Sequence, residues 1–171
     1  ISKESLRVSL YDIKDGILIN QDEIGFHWEE SYEFGGNIVK MSKISNDGES
    51  YYGLGDKPNH LNLKGKRYTN WVTDSYAYGK DTDPIYKTIP FYTGLHHGKA
   101  YGIFFDNSFR SSFDFAQERR NVTSFWAQGG EMNYYFFYGP KMNDVVESYT
   151  DLTGKPHHLP PLWALGFHQC K

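Results

Sequence analysis

Cysteine is almost missing from this chain, with one, Cys170, in 171 residues. A single thiol closes no internal disulfide, so the fold has to be held by its core. Long hydrophobic runs are missing too, and nothing approaches the ~20 apolar residues of a membrane span. An excess of one charge is also lacking: 18 Lys and Arg stand against 21 Asp and Glu, a formal net charge of −3. That removes the positive footprint expected of a nucleic-acid binder. Residue 1 is isoleucine rather than methionine, and no leader pattern follows it. The chain therefore reads as a trimmed one, from which a signal peptide could have been lost.

Helical periodicity is scarce before residue 140, and aromatic residues take its place. Tyr, Phe and Trp make up 18% of the chain, far above what a disordered segment carries. Two readings follow: aromatic faces that pack on sugar rings, or an aromatic-rich β core. Asp83 to Asn107 is the centre of the pattern. Ile85, Tyr86, Ile89, Phe91 and Tyr92 precede a polar break, His96-His97-Gly98-Lys99, and Tyr101, Ile103, Phe104 and Phe105 follow it. Two apolar runs around a short glycine-containing link predict a hairpin. Pro90 demotes its first strand to an edge strand or a bent one.

Further strands are expected from alternation at Leu6, Val8 and Leu10, from Ile17, over 37–44, 68–72, 111–115, 122–127 and 132–138. The last is an aromatic run fit for a buried strand. Asn46-Asp47-Gly48 and 128–131 supply turns. Gly53 and Gly55 beside Tyr51 and Tyr52 suggest close backbone packing, as a bulge or a tight turn. A phosphate loop would need the full GxGxxG pattern and a following helix, and both are missing. Residues 56–83 read as a long loop crossed by one short strand, with Lys57, Lys64, Lys66 and Arg67 clustered in it. Such loops are usually functional or disordered, and Trp71 with its neighbouring tyrosines argues for order. Val145, Val146, Tyr149 and Leu152 have helical spacing, with Asn143 as N-cap and Gly154 at the C-terminus. Pro156, Pro160 and Pro161 then impose an extended linker.

Little catalytic chemistry is legible. His96-His97 and His157-His158 are adjacent pairs, which point to opposite faces of a strand, so no metal is expected. Asp74, Asp81 and Asp83 lack the spacing of an EF-hand loop. No nucleophile motif is present, and spacing pairs no two carboxylates as acid and base.

Several segments nevertheless resemble glycoside hydrolase family 31, the α-glucosidase family. Tyr52 to Lys57, YGLGDK, is similar to its YGLGE-K segment. Gly65 to Asp74, GKRYTNWVTD, is similar to GKRYTxWNTD. Asp83 to Phe91, DPIYKTIPF, is similar to DPLYKSIPF. Tyr101 to Ser108, the Gly129-Gly130-Glu131 turn with Tyr134 to Phe136, Leu152 to Pro156, and Pro160 to Gln169 continue the order. The resemblance covers roughly residues 51–171, and its strength lies in seven short motifs in sequence. Asp56 departs from the family's glutamate, and Val72 from its asparagine.

The resemblance implies an all-β fold, an antiparallel β-sandwich of galactose mutarotase-like type with one short C-terminal helix. Residues 1–155 would form this N-terminal domain. Residues 156–171 would be a linker and the first strand, Trp163 to Gln169, of a (β/α)8 catalytic barrel that is not in the chain. It implies part of a retaining α-glucosidase acting on α-linked glucosides, with the catalytic aspartates beyond Lys171, so that the piece alone is inactive. Asp74, with Thr73 and Trp71, is the expected substrate-binding set, on a loop reaching the barrel mouth. No cofactor or metal is expected. The implied partners are an α-glucoside or oligosaccharide and the enzyme's own barrel, with no nucleic acid and no membrane, and a homo-oligomer is allowed. A periplasmic, secreted or cytoplasmic bacterial setting fits equally. The alternatives are a free-standing carbohydrate-binding sandwich using Trp71, Trp126 or the tyrosines as platforms, and a family relative acting as α-xylosidase or transglucosidase. A mutarotase-like enzyme would need a histidine and glutamate pair that the sequence does not identify.

Overall fold

In a computed structural model, which describes residue 1 and residues 5–166, the chain folds into two antiparallel sheets packed face to face. The strands are β1 (Ser9–Tyr11), β2 (Leu18–Glu30), β3 (Asn37–Ile44), β4 (Ser50–Gly55), β5 (Arg67–Asn70), β6 (Thr88–His96), β7 (Lys99–Phe105), β8 (Ser111–Phe115), β9 (Val122–Ala127) and β10 (Tyr134–Tyr138). The larger sheet has the order β1-β2-β3-β9-β8-β5, and the smaller β10-β7-β6-β4. The expected all-β sandwich is thus the observed fold. Among the described residues, no helix is long and apolar enough to cross a membrane.

The core lies between the sheets and is mostly aromatic. Alternation sends Phe113 and Phe115 of β8, Phe125 of β9 and Tyr68 of β5 inward, to meet Tyr51, Tyr92, Tyr101, Ile103 and Phe105 from the smaller sheet. Phe115 stacks on Tyr51 at 5.0 Å and meets Tyr92 edge-on at 5.0 Å, both favourable aromatic geometries. Two of the buried phenols have polar partners. Tyr101 donates to Glu49 at 2.6 Å and Tyr51 to Ser45 at 2.8 Å. Burial pushes the phenol of Tyr101 well above its ordinary pKa, so it stays neutral and donates.

The central hairpin is β6–β7, joined through His97 and Gly98, both at positive φ, as a two-residue turn requires. Of the two outcomes expected of a proline-bearing strand, an edge or a bend, the edge is not observed: β6 is interior, between β7 and β4. Pro90 is tolerated because the ladder with β4 slips there, between Gly53 and Gly55. Gly53, Leu54 and Gly55 all have positive φ. A Cβ on Gly53 would lie 2.6 Å from the Phe91 carbonyl oxygen, so the close packing of the glycine pair is a bulge.

The aromatic run at 134–138 also differs from expectation. It is the edge strand β10 and is half-buried, covered on its outer side by α1 (Met142–Thr153). Tyr149 of this helix stacks on Phe91 at 4.0 Å, and Val145 is fully buried. The helix starts earlier than predicted. Lys141 is the N-cap, its N–H donating to the Asp144 carboxylate at 3.2 Å, and Asn143 lies inside the first turn. The Asp144 carboxylate at the third helical position reaches back to the N–H of the cap residue, the return bond of a capping box.

After Gly154 the chain is extended and exposed. Leu162–Leu165 forms one turn of 3-10 helix, and Leu162 and Trp163 face solvent. The rest of the expected strand, from Phe167 to Gln169, lies outside the described residues.

Candidate functional site

The long loop is residues 71–87, between β5 and β6. It is ordered by polar clamps and by one buried apolar side chain, Ile85. At its root, Lys57 Nζ donates to the Asp83 carboxylate at 2.6 Å and to the Thr69 carbonyl at 2.7 Å. The second Asp83 oxygen accepts the Thr69 backbone N–H at 2.5 Å. One carboxylate on the returning limb is thereby tied to the strand that begins the loop. Higher up, Ser75 Oγ donates to the Pro84 carbonyl at 3.0 Å, and Tyr86 donates its hydroxyl to the Ser75 carbonyl at 2.8 Å. Tyr78 packs edge-on against Tyr86 at 5.8 Å.

Electrostatics at the root follow from burial. The Lys57 side chain is only 4% exposed, and desolvation lowers its pKa while Asp83 pulls it back up, burial prevailing. Every member of the basic cluster noted in the sequence has a partner. Lys66 pairs with Asp81 at 2.6 Å, Arg67 pairs with Glu118 at 2.9 Å, and Lys64 donates to the Asn46 carbonyl at 2.7 Å. Lys66 in turn holds the Asp81 carboxyl below its usual range.

The three predicted site residues lie together on the outgoing limb. Trp71 is 46% exposed, Thr73 is half-buried and Asp74 is exposed. Among the described residues, no hydrogen bond or ion pair engages the Asp74 carboxylate, whereas Asp81 and Asp83 nearby are both tied to lysines. A carboxylate is an acceptor-only group able to take two hydroxyl protons, and such charge-assisted bonds are the stronger kind. Trp71, Tyr76 and Tyr78 on the same loop are exposed.

Trp126 does not belong to this surface. It is 4% exposed, with Lys40 Nζ 4.8 Å and the Arg67 guanidinium 5.1 Å from its ring, so it cannot serve as a platform. Sequence reasoning missed the clamp formed by Lys57, Asp83, Ser75 and Tyr86. Its only trace was that Lys57 and Asp83 both fall in recognisable motifs. Among the described residues, no group of three or more His, Cys, Asp or Glu is placed to hold a metal ion. With Asp81 and Asp83 committed to lysines, the loop assembles no pair of free carboxylates for bond cleavage.

The chain was compared with known proteins. Residues 1–114 match the family model described as the glycosyl hydrolase 31 N-terminal galactose mutarotase-like domain. Alpha-glucosidase 2 of Bacillus thermoamyloliquefaciens is 38% identical over 172 residues, covering 100% of this chain and 21% of the relative. An alpha-glucosidase of Saccharolobus solfataricus is 38% identical over 132 residues, covering 77% of this chain and 19% of the relative. Among solved structures, a dextranase of the same family from Flavobacterium johnsoniae superposes with a TM-score of 0.81 at 36% identity, over 94% of this chain and 19% of that one. The chain spans about a fifth of the length of the relatives it matches.

Proposed function

The chain belongs to glycoside hydrolase family 31, and from that premise we propose that it is the N-terminal sandwich of a retaining α-glucosidase whose 71–87 loop binds substrate. The division proposed is a sandwich over 1–155 and, from 156 on, a linker into a (β/α)8 barrel. The barrel would supply the nucleophile and the acid/base, both aspartates, with a glycosyl-aspartate intermediate. Asp74 would accept hydrogen bonds from sugar hydroxyls near the scissile bond, with Thr73 and Trp71 beside it.

The observation that carries this reading is the contrast on the loop. Asp74 is exposed and unengaged on a limb that Ser75 and Tyr86 hold rigid, while the neighbouring acids are neutralised. A merely solvated aspartate would not need such bracing. Exposure of Leu159, Leu162, Trp163 and Leu165 further favours a domain of a larger protein over a free-standing binding module, because apolar patches mark interaction surfaces.

The test is Asp74→Ala in the full-length enzyme. Loss of a hydrogen bond to a charged group, about 1.5–3 kcal/mol, corresponds to a roughly 10- to 150-fold fall in kcat/KM on maltose. Thermal stability should not move. A kcat/KM equal to the parent's would remove Asp74 from the substrate site. Purified residues 1–171 should not turn over p-nitrophenyl α-glucoside, and measurable turnover would sink the assignment of the reacting carboxylates to the barrel.

A further inference from the structure

The two residues that flank the 71–87 loop are polar, and each carries buried side-chain atoms without a hydrogen-bond partner. Asn70 ends β5 and is only 4% exposed, yet neither its side-chain oxygen nor its nitrogen is hydrogen-bonded. Thr88 begins β6, and its hydroxyl is buried in the same condition. Both line one cleft of about 320 Å3, where the ends of the two sheets meet. Leaving a buried amide unpaired is costly, and native structures rarely do so without a reason.

The lining narrows what could occupy the cleft. Its one acidic residue, Asp106, accepts from Asn133 Nδ2 at 3.1 Å. Asn107 donates to the Gly129 and Glu131 carbonyls and accepts from the Phe109 N–H. No lysine or arginine lines the cleft, so an anion finds no counter-charge there. What stays unmatched is a primary amide and a hydroxyl beneath apolar walls of Pro90, Phe104 and Phe109. An asparagine side chain offers a donor and an acceptor side by side, the complement of one peptide group. The apolar walls suit one hydrophobic side chain. Around the loop root, Trp71, Val72 and Phe109 are exposed, as for a surface awaiting cover. The relatives, about five times as long as this chain, have four-fifths of their length to supply it.

We propose that this cleft is a socket for a peptide segment, bearing an apolar side chain, from the remainder of the enzyme, and that Asn70 and Thr88 thereby set the root of the 71–87 loop. The proposal rests on the reading that the chain is one domain of a longer glycosidase. Asn70 and Thr88 act as positioning residues, holding the limb that presents Asp74.

Hydrogen exchange read by mass spectrometry tests it, in the full-length enzyme and in residues 1–171, each with Asn70→Leu and with Thr88→Val. In the full-length enzyme, backbone amides of residues 71–73, 86–89 and 91 should exchange at least tenfold more slowly than in residues 1–171. Either substitution should abolish that extra protection while leaving β7 unchanged. In residues 1–171 alone, Asn70→Leu should raise Tm, because it removes an unpaired buried amide. Equal exchange at both lengths, or Asn70→Leu stabilising the full-length enzyme as well, would overturn the socket. Protection produced in residues 1–171 by methyl α-glucoside would assign the cleft to a sugar. Concentration-dependent protection would assign it to a second copy, and either result ends the proposal. If Asn70→Leu fails to fold, Thr88→Val carries the comparison. A full-length enzyme inactive on maltose but showing this protection would refute the proposed activity and leave the socket standing.

Discussion

Replacing Asp83 by asparagine removes one negative charge and leaves the buried Lys57 ammonium without its paired carboxylate, held by the neutral Thr69 carbonyl. Lys57 sits 2.6 Å from that carboxylate with its side chain 4% exposed, while Asp83 is 17% exposed. Breaking a buried pair by deleting one partner costs about 3–5 kcal/mol, because the remaining charge stays desolvated. Residual solvent at Asp83 screens the pair and places the expected loss near the lower end, about 3 kcal/mol. For a domain of this size that is a fall in Tm of roughly 6–12 °C. The amide oxygen of asparagine can still accept the Thr69 N–H, so the loss should come from the charge and not from the strand contact.

The pH dependence has a definite sign. Burial holds the pKa of Lys57 below its ordinary 10.5, and without Asp83 only the charge of Asp56 opposes that shift. Above the depressed value the unfolded chain binds more protons than the folded one, so stability of the variant should rise as pH climbs towards 10.5. Below the depressed value the penalty is present in full. Thermal melts of residues 1–171 from pH 7 to 10, with Lys57→Met and the double variant completing a cycle, would measure this. The double variant should recover most of the loss. A loss under about 1 kcal/mol for Asp83→Asn, or a double variant no better than the single, would refute the clamp.

Two further substitutions probe the frame around the loop. Gly53→Ala should cost about 1–3 kcal/mol in urea unfolding, since φ is +125° and a Cβ would meet the Phe91 carbonyl at 2.6 Å; an unchanged midpoint would mean that the bulge between β4 and β6 is absent in solution. Asp12 is bound by Lys99, by the Tyr138 hydroxyl at 2.6 Å and by the Lys14 N–H at 2.8 Å, which together hold its carboxyl well below the ordinary 3.8. Its contribution is therefore present above pH 3.8 and lost as pH falls below that value, so Asp12→Asn should flatten the acid limb of the stability curve, and parallel curves would contradict the assignment.

The elements themselves were largely legible in the residues. Alternation located β3, β8 and β9, the His97-Gly98 turn located the hairpin, and Val145 with Tyr149 located the helix. These signals are local, because a side-chain period of 2 or 3.6 is set by backbone geometry within a few residues. The ordered motifs further implied the family. Where local rules failed, a long-range contact had overruled them. Pro90 lies in an interior strand because the partner strand bulges opposite it, and Lys141 starts the helix because Asp144 reaches back to its N–H.

The candidate site divides along the same line. Asp74, Thr73 and Trp71 could be named from the sequence because they lie within one short motif on one limb. What only the tertiary structure decided was their setting. Lys57 meets Asp83, Tyr86 meets Ser75, and Asn70 shares a cleft with Thr88. Trp126, an eligible platform in the sequence, lies buried between Lys40 and Arg67. Each of these depends on β8 lying between β9 and β5 in one sheet while β4 and β6 pair in the other. That pairing is won by burying the aromatic faces of two sheets against each other, an energy shared over the whole core and therefore written in no single stretch of the chain.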